Sequence, residues 1–173
     1  KYIKQLKNWS GDYIFSFRSK YIVPIKILKK TKIAAINFHP GPPNYRGIGC
    51  INFSILNNEK FYGLTCHLMS KRIDNGRIID VKKFKINSKD NIDQILLKTY
   101  KLQLKQFKNI IRCLKKDNDI KKLVLNAKRE KWSNKIYTKS MLENLYIMNN
   151  QIKKKNFKLN TYLRATITKK FKP

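Results

Sequence analysis

Between Asn91 and Lys116, apolar residues fall at Ile92, Ile95, Leu96, Tyr100, Leu104, Phe107, Ile110, Ile111 and Leu114. Steps of three and four place them on one stripe, which predicts a long amphipathic helix with a single buried face. The other apolar runs are short. Tyr13-Ile14-Phe15-Ser16-Phe17 predicts a strand, and Pro24 then opens Ile25-Lys26-Ile27-Leu28-Lys29-Lys30 as a helix, because proline is tolerated at a first helical position. Ile33 to Phe38 shows no polar alternation, as a strand covered on both faces should. Pro40-Gly41-Pro42-Pro43 ends it, since proline cannot continue a central strand. This strand–helix–strand spacing predicts a parallel sheet with a functional loop at a strand's carboxyl end.

Cys50 to Leu56 predicts a buried helix closed by Asn57-Asn58-Glu59. Tyr62–Met69 and Ile78–Ile86 predict two strands, with Asp74-Asn75-Gly76 as the turn between them. Past Asp117 the pattern loosens into a candidate strand at Ile120–Leu125, a helix near Ser140–Met148 and a Lys-rich end from Gln151 to Pro173. No internal repeat is visible.

Composition narrows the class. A chain of 173 residues, 42% hydrophobic and 12% aromatic, holds about one folded domain and is not a disordered one. Cys50, Cys66 and Cys113 are odd in number and far apart, so neither a disulfide framework nor a zinc spacing is expected, and a reducing cytoplasm is the simplest compartment. No apolar run approaches the roughly 20 residues of a membrane span, and no signal-peptide pattern opens the chain. The first residue is Lys1, and an N-terminal piece is expected to precede it. Forty Lys and Arg against ten Asp and Glu give +30, which reads either as the Lys-, Ile- and Asn-rich composition of an A/T-rich genome or as a field that attracts any polyanion. The lysines are spread along the chain without the aromatic interleaving of a single-strand binder.

The candidate chemistry lies at the end of the second apolar run. Residues i and i+2 of a strand share a face, so Asn37 and His39 can converge. Moving an acyl group onto an amine makes an oxygen negative, and one fixed donor to that oxygen is worth roughly 10²–10³ in rate. An Asn amide and a protonated imidazole are such donors. The ammonium must also lose a proton to a carboxylate in direct reach or one water away. Asp74, 35 positions beyond His39, is that carboxylate, and its charge would favour the donating form of the histidine. Taken singly, Asp74-Asn75-Gly76 reads as a hairpin turn and His39 as a strand-end histidine. Cys50 and Cys66 read as small buried hydrophobes with no neighbouring base. Two histidines without suitably spaced carboxylates leave no metal set.

Asn37-x-His39, Tyr45-Arg46-Gly47, Gly63-x-Thr65-x-His67 and Ile73-Asp74-x-Gly76-x-Ile78-Ile79 together resemble the formyltransferase family that uses 10-formyltetrahydrofolate. Its members include methionyl-tRNA, glycinamide ribonucleotide and nucleotide-sugar N-formyltransferases and a hydrogenase-maturation domain. The resemblance covers roughly residues 12–86. It implies an α/β, Rossmann-like fold: a mostly parallel sheet with a hairpin-like strand pair, the long helix and a small C-terminal extension. It also implies a catalytic trio of Asn37, His39 and Asp74, and folate contacts from Arg18, Ser19, Tyr21, Ile22, Val23, Ser70 and Arg72. His67, Arg46 and Gly76 would support the site, Arg46 chiefly as a loop anchor.

The loop from His39 to Arg46 is one residue shorter than the usual family form. The family also carries a βαβ portion ahead of this start, so residues 1–118 are expected to be an N-terminally incomplete catalytic domain and 119–173 a basic extension. Trp132 and Tyr137-Thr138, with residues 163–166 and 171–173, faintly resemble C-terminal segments of sugar-formyltransferase-like members. The expected acceptor is a small primary amine, first a nucleotide sugar and second methionyl-tRNA. The competing expectation is a non-enzymatic, basic nucleic-acid binder on a degenerate form of the same fold.

Overall fold

A computed structural model describes residues 8–19, 21–117, 119–120, 123, 130–153 and 160–168. Strand β1 (Gly11–Phe17) runs parallel to β2 (Thr31–His39), and helix α1 (Ile25–Leu28) lies between them in sequence. Pro24 stands at the cap of α1, where its carbonyl accepts the amides of Ile27 and Leu28 at 2.9 and 3.1 Å. Past β2 come the two-residue β3 (Arg46–Gly47), helix α2 (Cys50–Leu56), and strands β4 (Phe61–Leu68) and β5 (Ile78–Lys85). The main sheet has the order β1-β2-β4-β5.

The expected parallel pairing holds for β1 and β2, while β4 runs antiparallel to both β2 and β5. The chain leaves β2 at His39 and re-enters the sheet at Phe61 beyond that same end, so β4 retraces β2 in the opposite direction.

Helix α3 (Ile92–Asp117) covers one face of the sheet. It opens on a reciprocal cap: Asn91 Oδ1 accepts the Gln94 amide at 3.0 Å, and Gln94 Oε1 accepts the Asn91 amide at 2.9 Å. Its Ile110 and Leu114 pack with Ala34, Ile36, Phe38, Cys66 and Ile79, and Phe107 meets Phe38 edge-on at 5.1 Å. Each such side chain contributes about 1.5–3 kcal/mol on burial. The buried stripe is not wholly the predicted one. Leu104 is 48% exposed, whereas Thr99, Gln103 and Gln106 are buried. The sheet supplies polar partners there: Gln103 Nε2 donates to the Phe38 carbonyl at 2.7 Å, and Gln106 Nε2 donates to Asp80 Oδ2 at 2.9 Å.

A second core joins Tyr45, Ile51, Ile55, Tyr62, Ile86, Ile92 and Ile95 to Tyr137 and Ala165. The last two residues come from β6 (Ile136–Tyr137) and α5 (Asn160–Thr166); α4 (Lys139–Lys153) lies between them in sequence. Strand β6 pairs in parallel with β3. The candidate strand at Ile120–Leu125 is not found at its described positions: Ile120 and Leu123 are helical, and the rest of that stretch lies outside the described residues. Among the described residues no helix is long and apolar enough to cross a membrane.

Candidate active site

Strand alternation divides β2 between two environments. Ile36 and Phe38 enter the core under α3, so Asn37 and His39 face the other way. In the register of β2 on β4, Asn37 lies opposite His67 and His39 opposite Thr65. The three polar rings and amides therefore gather on one sheet face, and Asp74 comes down upon them from the β4–β5 connection. Its backbone has φ 44°, a left-handed conformation that Asp tolerates better than most residues. The sequence reading placed ordinary hairpin chemistry at Asp74-Asn75-Gly76; the positive φ falls on the acid itself. Gly76 is needed for a different reason: a Cβ there would overlap the Leu68 carbonyl oxygen.

Asp74 Oδ2 lies 3.3 Å from His39 Nδ1, and Oδ1 lies 3.5 Å from His67 Nε2. The Gly47 amide donates to Oδ2 at 3.0 Å. His39, His67 and Asp74 are 4%, 2% and 7% exposed, so these contacts act with little screening by water. His39 Nε2 donates to the Tyr45 carbonyl at 2.8 Å, which leaves Nδ1 facing the carboxylate. His67 Nδ1 donates to the Leu68 carbonyl at 2.8 Å, which leaves Nε2 to accept an Asn37 amide N–H at 3.1 Å. These tautomers follow from the acceptors around each ring. Asn37 keeps a second N–H for an incoming oxygen.

Burial pushes the pKa of His39 down and outweighs the opposing pull of Asp74 and the Tyr45 carbonyl, so the protonated, oxyanion-donating form expected from the sequence is not the resting one. Burial alone would push Asp74 up. The two histidines beside it and the Gly47 N–H prevail and hold it below the usual carboxylate range. The resting pair is thus an ionised carboxylate against a neutral imidazole lone pair. One added proton would bridge Oδ2 and Nδ1 and relieve that arrangement, so the pair is built to accept a proton.

Arg46 proves to be a clamp. Its guanidinium donates to the carbonyls of Asp74, Ile73 and Ser133 at 2.6, 3.0 and 2.8 Å. Cys50, read from sequence as lacking a neighbouring base, has Sγ 3.8 Å from His39 Nε2. Burial pushes this thiol's pKa far up, so it remains protonated, and it donates to the Tyr45 carbonyl at 3.2 Å. The pair goes unseen in sequence because Cys50 stands on a different element from His39. Trp132 was also missed as a site residue. Its Nε1 donates to the Gly76 carbonyl at 2.6 Å, and its ring stands edge-on to His67 and His39 at 5.0 and 6.1 Å.

The expected folate-contacting residues lie on two exposed segments. Arg18, Ser19, Tyr21, Ile22 and Val23 leave β1 where Ser16 pairs with Asn37 and Phe17 with Phe38. Arg18 has φ 54° and stacks its guanidinium 3.5 Å from the Tyr100 ring centre. Ser19 Oγ accepts the Tyr21 amide at 3.0 Å. Tyr21 and Ile22 stand 38% and 69% exposed, an apolar ledge on the segment that follows β1. Ser70 and Arg72 are exposed in the β4–β5 connection, where Ser70 Oγ donates to the Arg72 carbonyl at 2.9 Å. Among the described residues no group of three or more His, Cys, Asp and Glu could hold a metal ion.

This sheet, with an Asn-His pair on a strand end and a buried Asp beneath the next connection, is that of the α/β, Rossmann-like formyltransferases. A family model described as formyl transferase matches residues 1–111, and the chain belongs to that family. A methionyl-tRNA formyltransferase of Mycoplasmopsis pulmonis is 29% identical over 141 residues, 80% of this chain and 48% of the relative. A 4-N formyltransferase from Francisella tularensis superposes with a TM-score of 0.71 at 25% identity, over 98% of this chain and 66% of that one. An N-formyltransferase from Helicobacter canadensis, solved with folinic acid and dTDP-3-aminofucose, has a TM-score of 0.65 at 26% identity, over 90% and 55% of the two chains. The chain thus spans about half the length of its curated methionyl-tRNA relative.

Proposed function

We propose that the protein transfers a formyl group from 10-formyltetrahydrofolate to a primary amine, the acceptor being an amino-sugar nucleotide. The observation that carries this is the buried Asp74 carboxylate set between His39 and His67, with Asn37 beside it. The folate substrate supplies an electrophilic formyl carbon. Arg18, Ser19, Tyr21, Ile22 and Val23, with Ser70 and Arg72, would hold it. Asn37 offers an amide N–H to the carbonyl oxygen as the amine nitrogen adds and that oxygen turns negative. Asp74, backed by the His39 lone pair, takes the proton that the ammonium loses. The C–N bond to the folate then breaks, and the leaving nitrogen regains a proton.

The donor class draws support from the folinic acid in the Helicobacter canadensis structure and from the family itself, and the sugar acceptor from that structure's dTDP-3-aminofucose. A second acceptor, methionyl-tRNA, is favoured by the M. pulmonis relative and by the +30 charge. The test is formylation of a panel of amino-sugar nucleotides and methionyl-tRNA with 10-formyltetrahydrofolate, run beside Asp74→Asn and His39→Ala. Turnover with a sugar nucleotide that falls about 10²–10⁴-fold in Asp74→Asn is expected. A rate unchanged in that variant would remove Asp74 from the mechanism, and turnover with tRNA alone would reassign the acceptor.

A further inference from the structure

Residues 130–137 reach the site from far along the chain and are fastened at several points. Ser133 donates its amide to the Pro43 carbonyl at 3.0 Å and accepts Arg46 Nη1 at 2.8 Å. Ile136 and Tyr137 pair with Arg46 and Gly47, and the Ile48 amide donates to the Tyr137 carbonyl at 2.9 Å. At the near end, Glu130 accepts Lys83 Nζ at 2.8 Å. The segment so fastened carries Trp132, whose indole donates to the Gly76 carbonyl.

We propose that Trp132 is a positioning residue of the active site: its indole locks the turn that carries Asp74 and fixes the planes of both imidazoles. The hydrogen bond to the Gly76 carbonyl pins the turn two residues after Asp74, while Arg46 pins it at Ile73 and at Asp74 itself. Between these holds the carboxylate has little freedom to swing. The ring edges meet His67 at 87° and His39 at 64°, a T-shaped contact whose strength depends on ring orientation. The same indole keeps water from two imidazoles that are almost fully buried. Trp132 itself is half-buried. The groups facing His39 are Asp74, His67, Arg46 and the Cys50 thiol; Trp132 adds no charge to them, only exclusion and orientation.

The inference rests on the proton-accepting role given to Asp74 and His39, and its test is read in two independent ways. The first is the histidine-ring nitrogen titration of the full chain by NMR, which needs no substrate. Trp132→Ala admits water, so His39 is expected to titrate at higher pH than in the wild type. Trp132→Phe, which keeps a ring and loses the donor, should fall between them and carries the test if the alanine variant does not fold. Lys135→Ala, on the same strap, should leave the titration unmoved. The second readout is kinetic: Trp132→Ala should lower kcat about 10–100-fold with little change in KM, and shift the acid limb of kcat/KM in step with the histidine titration. Histidine titrations that coincide in the wild type and both Trp132 variants would overturn the proposal. Altered titrations in a chain that formylates nothing would sustain it and sink the formyl-transfer reading instead.

Discussion

Asp74 gathers a backbone N–H from Gly47 and the ring nitrogens of two histidines while it sits in a left-handed backbone conformation. Such strain costs about 1–3 kcal/mol and persists where surrounding bonds impose it. The lowered pKa values of His39 and Asp74 give a pH prediction with a definite sign. Activity requires the pair in its proton-deficient form, so kcat/KM should stay flat from neutral pH downward through the ordinary histidine range. It should fall only at lower pH, where the pair is protonated in the free enzyme. Stability moves in the same direction. In the unfolded chain His39 takes up a proton near 6.5 and Asp74 near 3.9. The folded chain resists both, so melting temperature should decline as pH drops below about 6.5, and more steeply below about 4. A melting temperature that rises on acidification across that window would contradict the assignment.

At the level of elements, the two-residue β3 does more than its size suggests. Arg46 and Gly47 face Asp74 on one side and the β6 strap on the other. The guanidinium fork reaches three carbonyls at once, which a lysine ammonium on a flexible stem does not reproduce. Arg46→Lys is therefore expected to lose about 1–3 kcal/mol of stability through carbonyls left without a donor, and to cut activity together with it. Denaturant unfolding beside steady-state kinetics checks both. Gly47 has φ 90°, and a Cβ there would collide with the Tyr137 carbonyl oxygen, so Gly47→Ala should weaken the strap first. Quenching of Trp132 fluorescence by a soluble quencher, read in a Trp9→Phe background, reports that loosening, and quenching identical to the Gly47 parent would refute it.

Over the whole molecule, the +30 charge and the chemistry of the site pose separable questions. Tetrahydrofolate should raise the melting temperature by mass action if the ledge at Tyr21 and Ile22 holds the donor. A tRNA acceptor would add an association constant that falls steeply with salt, roughly 0.9 log units per log unit of salt for each phosphate neutralised on a duplex. A sugar nucleotide, with few phosphates, would show only a shallow slope. Measuring KM for each acceptor between low and physiological salt separates the two. A steep slope for a sugar nucleotide would mean that the surface lysines, and not the Asn37–Asp74 face, dominate its binding.

Strands β1, β2, β4 and β5, helices α2, α3 and α4 and the shared face of Asn37 and His39 were legible in the sequence, because each rests on local causes: apolar period, proline stops, and side chains two residues apart on one strand. The two-residue β3 and β6 left no such signal. Where a polar side chain finds its partner is a different matter. Gln103 is buried because a strand carbonyl happens to face it, and Cys50 lies beside His39 because a proline loop folds back. The direction of β4 is set by where the loops around α2 return the chain to the sheet, which a list of elements does not weigh. Trp132 bonds to Gly76 across 56 positions, and Arg46 to Ser133 across 87. Contacts of that range carry no periodic trace, since neither residue's neighbours in the chain need change to allow them. Sequence by itself determined which chemistry this protein could hold. Only the tertiary structure decided which groups keep water from it and hold it in place, because that depends on packing between segments that are strangers along the chain.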